Sequence, residues 1–199
     1  MKTEHIDERT LKEEVLQSEQ VYKGPIFTVR RNTILLYDES RVIREIVEHR
    51  PGVVVLCLDE AGKIAFVKQW RTPVGRVLLE LPAGGMEVGE QPETAASREL
   101  QEEVGLKPGT LELLHSFYVA PGWASELLHG FIARDCILSE LPADGDERIS
   151  VEFHTLGKAI DLVNSGHIND AKSILMLQAW ALRAVGPLGA KIWGQYRGE

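Results

Sequence analysis

A chain of 199 residues with 44% hydrophobic and 26% charged content has room for one domain, or one domain with a small appendage, and its composition excludes disordered and fibrous classes. The formal net charge of −8 argues against a nucleic-acid or anionic-membrane surface as the main partner, so an anionic substrate would need local basic residues or metal ions. The longest apolar run, Val53 to Leu58, is far too short to cross a bilayer, and the opening "MKTEHIDERTLKEE" lacks the apolar stretch of a signal peptide, so a cytoplasmic location is expected.

Residues up to about 13 are densely charged and read as a tail or an irregular first helix. The stretches "EEVLQSEQVY", "IFTVRRNTILLY" and "VIREIVEHR" follow, separated by "KGP" and "DES". They predict an antiparallel three-strand meander that buries one face. Beyond it, "GVVVLCL" and "KIAFVKQW" flank "DEAG" and read as a hairpin whose first strand, apolar on both faces, is central. A Gly/Pro-rich passage, "RTPVGRVLLELPAGGMEVGEQP", leads to a helix over Pro92–Val104, with Pro92 in its first turn and Gly105 just past its end. Three more strands, in "LELLHSFYVAPG", "LLHGFIARDC" and "SVEFHTL", precede two amphipathic helices in "LGKAIDLVNSG" and "DAKSILMLQAWALRAV". This order describes an α+β fold with a mixed sheet, divided into an N-terminal strand subdomain (1–50) and a main domain (51–199). Cys57 and Cys136 lie in separate apolar runs without metal or redox spacing and read as reduced core residues.

The helix raises a physical problem. Glu99, Glu102 and Glu103 share an arc of about 100°. Like charges at i, i+4 cost roughly 0.2–0.5 kcal/mol a pair. Carboxylates near a helix C-terminus also face the negative end of its dipole. A solvated acidic face is the plain alternative. A hard divalent cation bound by carboxylate oxygens would relieve both penalties. Arg98, four residues before Glu102, can hold that carboxylate and joins the glutamates as a candidate site residue.

From Gly84, five residues lead to Glu90 and seven more to Arg98, followed by Glu99, Leu100, Glu102, Glu103, Gly105 and Leu106 in fixed order. This spacing resembles the Nudix box of the Nudix hydrolase family at every specified position. The resemblance implies an α/β/α sandwich and divalent metal, Mg²⁺ or Mn²⁺, on Glu99, Glu102 and Glu103. It also implies a backbone carbonyl ligand at Ala83 and a loop-fixing part for Glu90.

Outside the box, Pro121 in "VAPGWASE" is similar to the signature of the ADP-ribose pyrophosphatase subfamily, and the likeness extends over roughly Tyr22 to Leu182. It implies that Arg44 and Glu45 contact substrate across a homodimer interface. Arg71 is then suited to a phosphate or ribose, Trp70 to stacking on adenine, and Trp123 and Glu126 to the sugar end. Each has a plainer reading, as a cross-strand pair, a surface cation, a core aromatic or part of a turn. The implied reaction is hydrolysis of ADP-ribose to AMP and ribose 5-phosphate, with Glu147 on the "ADGDER" loop or Glu102 as base. The alternatives are another nucleoside diphosphate sugar, such as a GDP-hexose, and a non-catalytic ADP-ribose sensor on the same fold.

Overall fold

The computed structural model describes residues 7–142, 148–184 and 186. By contacts the chain divides into two compact units, one of residues up to 50 together with 118–127, the other of residues 51–117 together with 128 onward. Among the described residues no helix is long and apolar enough to cross a membrane.

In the first unit a short 3-10 turn, Glu8–Leu11, is capped by Asp7. Strands β1 (Glu14–Lys23), β2 (Phe27–Leu35) and β3 (Arg41–His49) then form the expected antiparallel sheet in the order β1-β2-β3. The β2–β3 turn is built on Asp38, whose Oδ1 accepts from the Ser40 N–H at 3.0 Å, while Glu39 takes a left-handed φ of 63°. One buried face was the expectation, and β1 departs from it. All ten of its residues are exposed, Val15, Leu16, Val21 and Tyr22 among them. β1 is the edge strand of this sheet. Burial falls instead on β2, where Asn32 and Ile34 lie two residues apart and so on one face.

The second unit is organised on β4 (Gly52–Cys57), buried at all six residues. It runs parallel to β10 (Leu127–Arg134) and antiparallel to β7 (Ala83–Gly85), and β9 (Thr110–Tyr118) completes a mixed sheet in the order β7-β4-β10-β9. A second, antiparallel sheet takes β12 (Ile149–His154), β5 (Ile64–Arg71) and β6 (Arg76–Glu80) in that order. β8 (Leu106–Lys107) pairs with β11 (Ile137–Leu138).

The expected β4–β5 hairpin is therefore corrected. Its turn closes, with the Gly62 N–H on the Asp59 carbonyl at 2.9 Å, yet a single bridge, Leu58 to Ile64, joins the strands before they part into different sheets. β4 is apolar on both faces and is satisfied by central placement beside parallel β10. β5 turns to alternation at Lys68 and pairs with β6 and β12.

Among the described residues three α-helices pack on the strands of the second unit. α1 (Pro92–Val104) spans the expected residues, with Pro in its first turn and Gly105 closing it at φ 74°, its N–H donating to the Gln101 carbonyl. α2 (Leu156–Asn164) is capped by Thr155, and α3 (Ala171–Ala184) follows. Successive residues of β4 point to opposite sides. Val53, Val55 and Cys57 pack with Ala95, Ala96 and Leu100 of α1, whereas Val54 and Leu56 pack with Ala159 of α2 and Met176 and Leu177 of α3. This is the α/β/α layering of the second unit. Cys57 and Cys136, distant in sequence, meet in the α1-side core with their sulfurs 3.4 Å apart, both free thiols. The hydrogen bond between the two sulfurs, with burial, raises the pKa of Cys57, and the same contact lowers that of Cys136.

Candidate metal and substrate site

The carboxylates of α1 are organised by one guanidinium. Arg98 Nε and Nη2 donate to the two oxygens of Glu90 at 3.0 Å each, and Nη1 donates to Glu99 Oε1 at 2.8 Å and Glu102 Oε2 at 2.9 Å. Nη2 also reaches the Gly85 carbonyl at 2.9 Å. Glu90 accepts in addition from the Glu87 N–H at 2.8 Å, so one residue ties the loop before α1 to the helix itself. The fork on Glu90 is chiefly what holds the Glu90 carboxyl below its ordinary range and raises Arg98 in turn.

The glutamates lie deeper than a solvated acidic face would. Glu99 is 9% and Glu103 7% exposed, and Glu102 is half-buried. Glu103 Oε2 accepts from the Ala83 N–H at 2.9 Å, which fixes α1 against β7. Gly84 lets β7 come that close, since a Cβ there would lie 2.1 Å from the Glu99 carboxyl carbon.

Among the described residues no three acidic, His or Cys side chains converge tightly enough to hold an ion as they stand. Glu99 and Glu102 lean on Arg98, and Glu103 leans on the Ala83 amide. In chemical terms the donors fit a hard divalent cation: all are oxygens, they share one helix face, and their mutual repulsion falls when a cation lies between them.

Arg71, at the end of β5, is committed within the protein. Its Nε and Nη2 fork onto Glu80 at 2.7 and 3.0 Å. Glu80 is 2% exposed and is also bound by Lys172 Nζ, which lies 2.9 Å from Asp170 Oδ1. Burial pushes the Glu80 pKa up, but Arg71 and Lys172 together outweigh it and hold the carboxyl below its usual range. Trp70, beside Arg71, is 57% exposed. Sequence reasoning missed Glu80 and Lys172. The available signal was a lone carboxylate in the apolar run "VLLELP", at a strand position that period-2 alternation turns inward.

Arg44, Glu45, Trp123 and Glu126 belong to the first unit. Arg44 pairs with Glu13 at 2.7 Å, and Glu45 pairs with Arg31, its neighbour across β2–β3, at 3.2 Å. Residues 118–126 attach to β3 through the Val47 N–H on the Trp123 carbonyl (2.8 Å) and the Ser125 N–H on the Val47 carbonyl (3.0 Å). Between them is a cavity of about 530 Å³ whose lining includes Arg44, Glu45, Tyr118, Pro121 and Trp123, a size that suits a small organic ligand. Glu126 lies outside that lining, 3.9 Å from His49 Nδ1. Glu147 falls outside the described residues.

Comparison with known proteins shows the family. The family model described as "NUDIX domain" matches residues 48–177. The ADP-ribose pyrophosphatase of Bacillus subtilis (strain 168) is 37% identical over 88% of this chain and 96% of its own length. The GDP-mannose pyrophosphatase of Cronobacter sakazakii (strain ATCC BAA-894) is 31% identical over 80% of this chain and 91% of its own. A crystal structure described as an ADP compounds hydrolase superposes with a TM-score of 0.80 at 23% identity, covering 88% of this chain and 96% of that one, a likeness of fold. With a matched segment that runs from the end of β3 into α3 and contains the whole glutamate helix, the chain belongs to the NUDIX domain family.

Proposed function

We propose that the protein hydrolyses the diphosphate bond of ADP-ribose, or of a closely related nucleoside diphosphate sugar, giving AMP and ribose 5-phosphate from ADP-ribose. The observation that carries this reading is the set of carboxylates on α1, largely buried and held by Arg98 and Ala83. Similarity to the B. subtilis enzyme over nearly its full length supports ADP-ribose as the substrate.

Glu99, Glu102, Glu103 and the Ala83 carbonyl would hold Mg²⁺, with Mn²⁺ as the alternative. When bound, the metal supplies charge neutralisation on the phosphoryl oxygens and a more acidic water. Arg98 orients Glu99 and Glu102, and its attachment to Glu90 keeps the loop before α1 in place. The water oxygen bonds to one phosphorus, the bridging P–O bond breaks, and the second phosphate leaves in line with the electron pair. The water proton goes to Glu147 or Glu102, and separate Gln variants of the two distinguish them.

Arg71 is held on its Nε and Nη2 edge by Glu80, so its Nη1 edge is the one assigned to phosphate or ribose, with Trp70 assigned to adenine. Arg44, Glu45 and Glu126 complete the substrate contacts, the first two across a homodimer interface. The exposed apolar residues of β1 support a subunit contact there. The working location is the cytoplasm.

The test is ³¹P NMR of ADP-ribose with purified protein and Mg²⁺, with and without chelator. The two diphosphate signals should give way to two monophosphate signals, and chelator should stop the change. A diphosphate signal that persists in Mg²⁺ would sink the assignment. A second reading is favoured by the similarity to the C. sakazakii GDP-mannose pyrophosphatase. If kcat/KM for GDP-mannose exceeds that for ADP-ribose, the second reading replaces the first.

A further inference from the structure

Residues 80–83, from the end of β6 to the start of β7, are bonded to another element at every position. Glu80 accepts from Arg71 of β5 and from Lys172 of α3. The Leu81 N–H donates to Ser173 Oγ of α3 at 2.8 Å, in a fully buried position. The Pro82 carbonyl accepts from the Val55 N–H of β4 at 2.8 Å, and the Ala83 N–H donates to Glu103 of α1. The first turn of α3 is itself fixed, because Asp170 Oδ1 accepts from the Ser173 N–H at 3.0 Å as well as from Lys172.

A connection of this kind does not need ionic groups for stability, since apolar side chains of similar volume often serve as well or better. Ionic and hydroxyl bonds add direction and register that apolar contacts do not. The register ends at Ala83, the residue whose backbone meets the carboxylates of α1.

We infer that Lys172 and Ser173 are positioning residues: through the 80–83 segment they set the height of the Ala83 backbone against Glu103 and Glu99, and so tune the affinity of the glutamate site for its divalent metal. The inference rests on the metal-dependent reading above and adds α3 to it. Neither residue contacts the substrate or the metal on this account, so both act at a distance of one or two bonded neighbours.

The experiment titrates Mn²⁺ into metal-free protein without substrate, following bound Mn²⁺ by water proton relaxation. Lys172→Met and Ser173→Ala are compared with wild type, and Lys172→Arg serves as the conservative replacement. Weakening supporting groups around a metal site typically lowers affinity ~10–100-fold, and the lower end, ~10-fold, is expected for both variants. The half-activating Mg²⁺ concentration should rise in parallel, KM for ADP-ribose at saturating Mg²⁺ should hold in Ser173→Ala, which leaves the Glu80–Arg71 pair in place, and Lys172→Arg should recover most of the loss of the Met variant. If wild type takes up no Mn²⁺, the metal reading and this inference fall together. If wild type takes it up and both variants match it, even with lowered Tm, the inference alone falls. Should Lys172→Met not fold, Ser173→Ala decides by the same comparison.

Discussion

Replacing Arg98 with Met removes five hydrogen bonds to four partners, three of them carboxylates, while keeping the aliphatic stem. Glu90, Glu99 and Glu102 would then face one another without the cation that separates them. Breaking one buried ion pair from one side costs about 3–5 kcal/mol. Arg98 and Glu102 side chains keep 22% and 20% exposure, which places the expected loss at the low end, near 3 kcal/mol. For a chain of this length each kcal/mol moves Tm by roughly 2–4 °C, so Tm should fall by roughly 6–12 °C in chelator. Arg98→Lys should recover little, because one ammonium cannot span the Glu90 fork and both α1 carboxylates. Adding Glu90→Gln to Arg98→Met should restore part of the loss, which a double-mutant cycle by thermal and urea unfolding would resolve. If Arg98→Met melts within about 2 °C of wild type, the guanidinium is not what stabilises the cluster.

Glu103→Gln should abolish most turnover while the protein stays folded, since a glutamine oxygen can still accept from the Ala83 N–H; near-normal activity in a folded variant would remove Glu103 from the metal set. Gly84→Ala should displace the Glu99 carboxylate, because the new methyl would overlap it at 2.1 Å. Mn²⁺ uptake and turnover should then drop together with little change in Tm, and unchanged uptake would refute the close approach. Glu80 and Glu90 both have folded-state pKa values below the ordinary value of about 4.3, so their stabilisation is complete above that value and lost as pH falls through the lower folded-state values. Urea unfolding from pH 6 down to 3 should show Glu90→Gln losing less stability than wild type, and parallel curves would contradict the ionic account. A thiol reagent on the native protein should label Cys136 first and leave the buried Cys57 until denaturation, and simultaneous labelling by mass spectrometry would overturn that order.

The legible parts of the fold were those whose cause is local. α1 announced itself through Pro92, Gly105 and a spacing of charge that isolated helices disfavour. The meander announced itself through its turns. β6 and β7 stayed hidden because Pro73, Gly75, Pro82 and the Gly84-Gly85 pair interrupt any period-2 pattern. Their strand character comes from pairing with β5 and β4. The partners of Glu80 were hidden for a different reason: Lys172 is 92 residues away, and no spacing rule links β6 to α3. The meeting of Cys57 with Cys136 is of the same kind, set by the pairing of β4 with β10, a strand that ends two residues before Cys136. Arg71 shows the limit of reading residue type alone. Its chemistry suits a phosphate, yet two of its donor nitrogens have a carboxylate partner inside the protein.

The parallel pairing of β4 with β10 also bears on how the chain assembles. Gly52 lies opposite Leu128, so the strand at the centre of the second unit finds this neighbour only after 75 intervening residues have been gathered between them. Closing a loop of that length is paid in chain entropy before any of the contact energy returns. The β1–β2–β3 ribbon, by contrast, needs only neighbouring turns. The first three strands should therefore gain hydrogen-exchange protection early in refolding, and β4 and β10 should gain it later and in the same kinetic phase.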